Sequence, residues 1–170
     1  MKSTFLKHTG LIGAMMLMAG FSASSYGAQE AGDREFTLAG SGASDSGFDT
    51  STFGATASLG WFTTRDLEWG VRQTANFADT EATTSFNGAT RAFLGYHLDY
   101  AMWQPFIGAS LGVQYGSGVR DAFFIGPEIG AKYYVMPKTF IIGQVAYQFQ
   151  VDQDIDDGST FYNLGIGFNF

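Results

Sequence analysis

Large apolar residues alternate with small or polar residues in repeated segments along most of the chain. Positions 163–170 read NLGIGFNF, in which every second residue is large and apolar. A period of two predicts a β-strand with one apolar face. Eight segments show this pattern, the first of them weakly: 35–43, 53–61, 67–77, 86–100, 107–115, 123–135, 141–151 and 159–170. The chain is therefore predicted to be all-β, with eight strands.

The connections between the predicted strands alternate in length. Segments 63–66, 99–104 and 136–139 are short, whereas 44–51, 78–85 and 152–159 are longer and polar, and only 116–121 breaks the alternation by being brief. Short connections join antiparallel neighbours. The pattern predicts an up-and-down antiparallel meander with its tight turns at one end.

The residues on the polar face of the strands indicate which face lies inside the barrel. The polar face carries small residues such as Gly108, Ser110 and Gly112 on one strand, and Gly165 and Gly167 on the last. Glycine weakens a strand and gains nothing on a solvated surface. In the narrow interior of an eight-stranded barrel, small residues make room for a few large polar ones. The polar face is therefore expected inside and the apolar face outside.

Aromatic residues collect at the two ends of the apolar face, with aliphatic residues between them. One end has Trp61, Trp69, Tyr100, Tyr133, Phe168 and Phe170, and the other has Phe53, Phe77, Phe86, Tyr115, Phe123, Phe149 and Tyr162. Aromatic girdles that flank an apolar band are typical of transmembrane β-barrels. We therefore predict an eight-stranded antiparallel transmembrane β-barrel of the outer membrane, with short turns facing the periplasm.

The first 28 residues have the order of a secretory signal peptide. Lys2 and Lys7 precede an uncharged, mostly apolar run at 9–21, and small residues follow. That run is shorter than the roughly 20 residues of a membrane-spanning helix. We expect residues 1–28 to be the signal peptide and 29–170 the barrel domain, with cleavage after Ala28 or after Gly27.

Composition narrows the classes of partner. The chain has 9 basic and 16 acidic residues, a net charge of −7, and no cysteine. Acidity argues against nucleic acid, because phosphate contacts need Lys and Arg. An exported chain without cysteine has no disulfides, so its core, a metal or a membrane must stabilise it.

These features together resemble the small outer-membrane barrel superfamily, which includes the membrane domain of outer-membrane protein A and barrels of the outer-membrane protein X type. The resemblance rests on the signal peptide, the eight strands, the absence of cysteine and a final strand that ends in Phe170. It implies that the barrel assembly machinery reads Ile166, Phe168 and Phe170. It also implies a monomer at the Gram-negative cell surface, in contact with outer-membrane lipids and lipopolysaccharide.

Charged residues on the enclosed face are the candidate site residues. They are Glu68, Arg72, Arg91, Glu128 and Lys132, with His97 nearby in the pattern. Because an unpaired buried charge is very costly, we expect structural ion pairs. With Phe62, Phe93 and Phe124 they should leave no continuous water path. We expect no catalytic, cofactor or metal site, and a role in envelope structure or surface contact.

A lipid A-modifying enzyme and a narrow, porin-like, low-conductance pore are the alternatives. The lipid A deacylases use a His closely followed by a Ser, but the sequence around His97 reads YHLDY. By parity His97 also faces inward, where an acyl chain in the membrane cannot reach it. The palmitoyltransferases begin with an amphipathic helix, and QEAGDREF does not form one. The sequence therefore favours a non-enzymatic barrel.

Acidic residues are concentrated in the segments FDTSTF, DTEA and DQDIDDG, which we expect to face outward as sites for a host or surface ligand. Asp152, Asp154 and Asp156 have the spacing of a calcium loop. However, the glycine comes one position late, and Asn163 stands where a bidentate Glu is needed. A solvated loop is the interpretation that fits.

Overall fold

The structure is a computed structural model that describes the backbone of residues 29–44, 51–80, 83–116, 122–151 and 158–170. Side chains are described for 29–40, 54–76, 86–116, 122–151 and 158–170. Eight strands follow one another: β1 (Arg34–Ser44), β2 (Ser51–Phe62), β3 (Leu67–Thr80), β4 (Thr83–His97), β5 (Trp103–Gly116), β6 (Ala122–Met136), β7 (Thr139–Gln150) and β8 (Ser159–Asn169). Within the described residues, no helix is long and apolar enough to cross a membrane.

Each strand pairs antiparallel with the next, and β1 pairs antiparallel with β8, so the sheet closes into a barrel. The closing ladder runs from Glu35↔Asn169 to Ala43↔Phe161. Beyond it, the amide of Phe170 donates to the carbonyl of Arg34 at 2.9 Å. The prediction of an eight-stranded antiparallel meander is confirmed.

Several strand boundaries differ from the sequence prediction, including the start of β5, which is Trp103 rather than 107. The predicted long connection at 78–85 is wrong, because the β3–β4 ladder continues as far as Thr80↔Thr83. The threonines there are β-branched and favour extended backbone. The strand predicted at 86–100 ends at His97, because Asp99 accepts a hydrogen bond from the amide of Ala101, whose φ of 57° turns the chain.

The apolar face lies on the outside of the barrel. Leu164, Phe123 and Ile107 are among the most exposed large side chains, at 69%, 68% and 61%. Aromatic rings contact one another along the tight-turn end, and Trp61 stacks on Trp69 with ring centroids 4.9 Å apart. The side chains of Phe53 and Phe77 lie outside the described residues. The predicted apolar exterior is therefore present wherever side chains are described.

Interior glycines make room for aromatic rings as well as for polar groups. A Cβ on Gly167 would lie 2.3 Å from the Phe140 ring, and one on Gly60 would lie 1.8 Å from the Glu68 carboxylate. Phe140 is completely buried. The expectation that small residues accommodate large polar side chains was thus too narrow, since rings occupy the same kind of space.

Candidate functional site in the barrel interior

A buried lysine joins three strands near the tight-turn end of the interior. Lys132 on β6 places Nζ 2.6 Å from a Glu35 oxygen on β1 and 3.1 Å from a Glu68 oxygen on β3. His97 on β4 places Nε2 2.9 Å from the same Glu68 oxygen. All four side chains are nearly inaccessible to solvent. We call Glu35, Glu68, His97 and Lys132 the lower charge cluster.

Aromatic rings enclose the cation of this cluster. The Lys132 Nζ lies 5.4 Å from the ring centroid of Phe62, 5.8 Å from that of Phe106 and 5.2 Å from that of Phe140. A desolvated ammonium is attracted to the faces of such rings. The rings and the two carboxylates therefore compensate for the water that Lys132 loses on burial.

A second ion pair lies farther from the tight-turn end. The Arg72 Nη1 donates to Glu128 Oε2 at 2.7 Å, and Gln144 donates to the same oxygen. The Arg72 guanidinium also lies 4.6 Å from the ring centroid of Phe93. Glu128 thus accepts bonds from two donors, as a buried carboxylate requires.

Arg91 differs from the other predicted interior charges. Its Nη2 donates to Thr74 Oγ1 at 2.9 Å, and Thr74 is 3.0 Å from Thr56. Within the described part of the barrel, Arg91 forms no ion pair, and its Nε and Nη1 are buried without a hydrogen-bond partner. The structure therefore brings Glu68, Arg72, Glu128 and Lys132 into ion pairs and leaves Arg91 outside them.

A polar network fills the tight-turn mouth of the barrel. Gln29, which is 1% exposed, exchanges hydrogen bonds with Gln104 and donates to Tyr134. Asn169 donates to the same Tyr134 hydroxyl at 2.9 Å. Sequence reasoning missed this network, because Gln29 precedes the first strand and has no periodicity to assign it to a face.

Sequence reasoning also omitted Glu35 from the interior charges, although its signal was present. Phe36 and Leu38 are the large apolar residues of the first predicted strand, so by alternation Glu35 faces the interior. Glu35 is 4% exposed. The apolar pattern of the first strand is weak, so it predicts the facing of Glu35 less clearly than the other strands predict theirs.

The expected outward residues of the last strand do point outward. Ile166, Phe168 and Phe170 are 52%, 47% and 52% exposed. The Phe168 ring lies 5.5 Å from that of Phe36 across the closing ladder. Their positions leave them accessible to lipid or to another protein.

The described residues contain no group of three or more His, Asp and Glu side chains that is placed to bind a metal ion. Asp152, Asp154 and Asp156 lie outside the described residues, so the interpretation of that segment as a solvated loop stays a prediction. Most of the acidic segments expected to contact ligands lie outside them as well.

Planar-bilayer recordings of the purified barrel are expected to show no steady, porin-sized conductance. The cavity beside the lower charge cluster and Arg72 measures about 30 Å³. It has room for about two water molecules, at roughly 10–15 Å³ each. A second cavity, beside Arg91, measures only about 20 Å³. Detergent without protein provides the baseline, and large stable channels above it would contradict this prediction.

Comparison with known proteins shows which solved structures share this fold. No protein-family profile and no curated protein sequence matches the chain. Among solved structures, the chain is similar to Neisserial surface protein A, with 19% identity over 81% of this chain and 94% of that chain and a TM-score of 0.60. The outer membrane protein OprG from Pseudomonas aeruginosa shares 12% identity over 85% of this chain and 99% of that one, with a TM-score of 0.63.

A third similar structure is Ail, the attachment invasion locus protein of Yersinia pestis. It shares 16% identity over 84% of this chain and 100% of that chain, with a TM-score of 0.51. All three matches cover nearly the whole partner structure, and the closed meander described above agrees with them. The chain therefore has the fold of the small eight-stranded outer-membrane β-barrels.

Proposed function

We propose that the protein resides in the outer membrane of a Gram-negative bacterium as a non-enzymatic barrel, with a role in envelope structure or surface contact. The observation that carries this proposal is the inversion of the usual distribution of residues. Large apolar side chains such as Leu164 face outward, whereas Lys132 and three glutamates are buried inside. Only a lipid exterior makes this arrangement favourable, because apolar surface seeks an apolar solvent.

The position of His97 supports a non-enzymatic role over lipid A modification. Its side chain is 2% exposed and lies against Glu68 inside the barrel. An acyl chain in the bilayer meets only the outer face of the strands. A histidine enclosed in the lumen has no access to such a substrate.

The surface-contact role rests on the loops, and a contrast with one similar barrel narrows the class of ligand. Ail has been solved in complex with the heparin analogue sucrose octasulfate. The segments of the present chain that we expect to face outward are acidic, and like charges repel a polyanion. We therefore propose neutral or cationic surface ligands, or divalent cations shared with lipopolysaccharide, and a monomeric barrel surrounded by outer-membrane lipid.

Cell fractionation tests the location. The protein should be recovered in the outer-membrane fraction, beginning near Gln29 after removal of residues 1–28. Unheated samples should migrate differently from heated ones on gels, because a closed barrel resists detergent. Recovery as a soluble periplasmic protein would refute the proposed location. A deletion strain then tests the role: altered adhesion with unchanged lipid A composition is expected, and altered lipid A acylation would instead indicate an enzyme.

We also propose that the barrel assembly machinery recognises Ile166, Phe168 and Phe170. Changing Phe170 to Ser should lower the amount of assembled barrel in cells more than it lowers stability in vitro. Phe170 lies past the end of β8 and is half exposed, so its loss should cost only a fraction of the roughly 3–5 kcal/mol of a fully buried Phe→Ala change. Outer-membrane levels and urea midpoints in detergent are the two measurements.

Phe168→Ser is the matched control for this prediction. It removes an apolar side chain from the same face, including the contact with Phe36, and leaves the terminal residue in place. Normal cellular levels of the Phe170 variant would remove the case for recognition. Proportional losses of cellular yield and in-vitro stability in both variants would show that ordinary destabilisation is sufficient.

A further inference from the structure

Charge is unevenly distributed along the described interior. Three acidic side chains, Glu35, Glu68 and Glu128, and three basic ones, Arg72, Arg91 and Lys132, are buried there. Lys132 lies between two carboxylates, and Arg72 takes the third. The lower charge cluster therefore holds more carboxylates than lysines, and the region around Arg91 is left with a positive charge.

Arg91 is a deeply buried cation with no ion-pair partner among the described residues. Arg91 is 4% exposed. Thr74 accepts a hydrogen bond from only one nitrogen of the Arg91 guanidinium. The guanidinium carbon lies 5.5 Å from the ring centroid of Phe161. Nε and Nη1 are buried with no partner. Because a guanidinium stays protonated in proteins, this charge needs a counter-charge from outside the described side chains.

A small cavity adjoins these unpartnered groups. It measures about 20 Å³ and is lined by Arg91, the polar side chains of Asn76, Gln114 and Gln148, and the rings of Phe124 and Phe161. Gln148 donates to Ser110 Oγ at 2.8 Å, which fixes its amide beside the cavity. The volume suits roughly one atom or ion of water size. Water alone would satisfy the N–H groups but would leave the charge uncompensated.

We propose that Arg91 and this cavity form a binding site for one small monovalent anion, with chloride as the representative ligand. Nε and Nη1 donate to the anion, while Phe124 and Phe161 exclude solvent from the other sides. Hydrogen bonds from a charged donor are about twice as strong as neutral ones. The small volume excludes phosphate and sulfate groups. The site is separate from the surface contacts proposed above and does not depend on them.

The test is chloride binding by the refolded barrel in uncharged detergent, followed by the line width of the chloride NMR signal. At constant ionic strength, chloride replaces gluconate, which is too large for the cavity. Wild-type protein should broaden the signal saturably, and its thermal midpoint should rise with chloride because the ligand binds only the folded state. Arg91→Gln should lose both effects. Arg65→Gln should keep both, since Arg65 is exposed at the tight-turn end.

A second variant keeps the test decisive if Arg91→Gln does not fold. Gln148→Glu is nearly isosteric and places a carboxylate at the wall of the cavity, where it replaces the anion. It should give the heat-modifiable folded form and lose the chloride dependence. A wild-type protein that shows neither broadening nor a chloride-dependent midpoint overturns the proposal. So does a Gln148→Glu or Arg91→Gln barrel that folds and binds chloride as wild type does.

Discussion

Replacing Lys132 with methionine is expected to lower the free energy of unfolding by about 3–5 kcal/mol, the usual cost of removing one partner from a buried ion pair. Methionine fills a similar volume among the rings of Phe62, Phe106 and Phe140, so little packing is lost. The loss of stability comes from Glu35 and Glu68, which would remain buried after their cation is removed. Among the described residues, Lys132 has the only ammonium within 4.0 Å of these carboxylates. Urea midpoints of the detergent-refolded barrel measure the change.

Two further variants separate electrostatics from packing. Lys138→Met removes a lysine from the exposed β6–β7 turn and should change stability by less than about 0.5 kcal/mol. Adding Glu35→Gln and Glu68→Gln to Lys132→Met should recover part of the loss, because no uncompensated carboxylate is then buried. Equal stability of the Lys132 and Lys138 variants would show that the cluster does not stabilise the barrel.

Replacing Gly167 with valine is expected to destabilise the barrel by roughly 1–3 kcal/mol, the typical cost of overpacking. A Cβ at this position would lie 2.3 Å from one atom of the Phe140 ring, 2.6 Å from a second and 2.9 Å from the backbone oxygen of Phe36. The backbone oxygen belongs to the closing strand and cannot move without disturbing its ladder. Urea midpoints and the fraction of heat-modifiable protein measure the effect.

Gly143→Val is the matched control, since a Cβ there meets no atom within 4 Å and points from β7 toward the outside. It should leave stability within about 0.5 kcal/mol of wild type. Combining Gly167→Val with Phe140→Leu should cost less than the sum of the two single changes, because residues in contact are not additive. Additive costs, or equal costs at Gly143 and Gly167, would contradict this account of the interior.

Alternation specifies the side of the sheet on which a residue lies, and this explains what the sequence could predict. Lys132 and Glu128 are separated by an even number of residues on β6, so alternation assigns both to the interior. The same argument placed Phe168 outside. Strand number, topology and facing all follow from a period of two and from the lengths of the turns.

The pairing of interior charges could not be predicted in the same way. Lys132 on β6 contacts Glu35 on β1, and these two strands are not adjacent in the barrel. Such a contact depends on the height of each residue along the barrel axis, which alternation does not specify. The isolation of Arg91 has the same cause. Gln29 enters the barrel mouth from outside any strand, so no pattern in the sequence marked it.

The contact between β6 and β1 has a consequence for the shear of the barrel. A slip of two residues in the β1–β8 ladder would keep every side chain on its proper face, so alternation alone permits it. The same slip would displace Glu35 along its strand by roughly 6–7 Å. Its 2.6 Å contact with Lys132 would then be broken, and both charges would be buried with fewer partners. The contact between Lys132 and Glu35 thus stabilises one stagger of the strands. It favours one shear number among those that the apolar pattern allows.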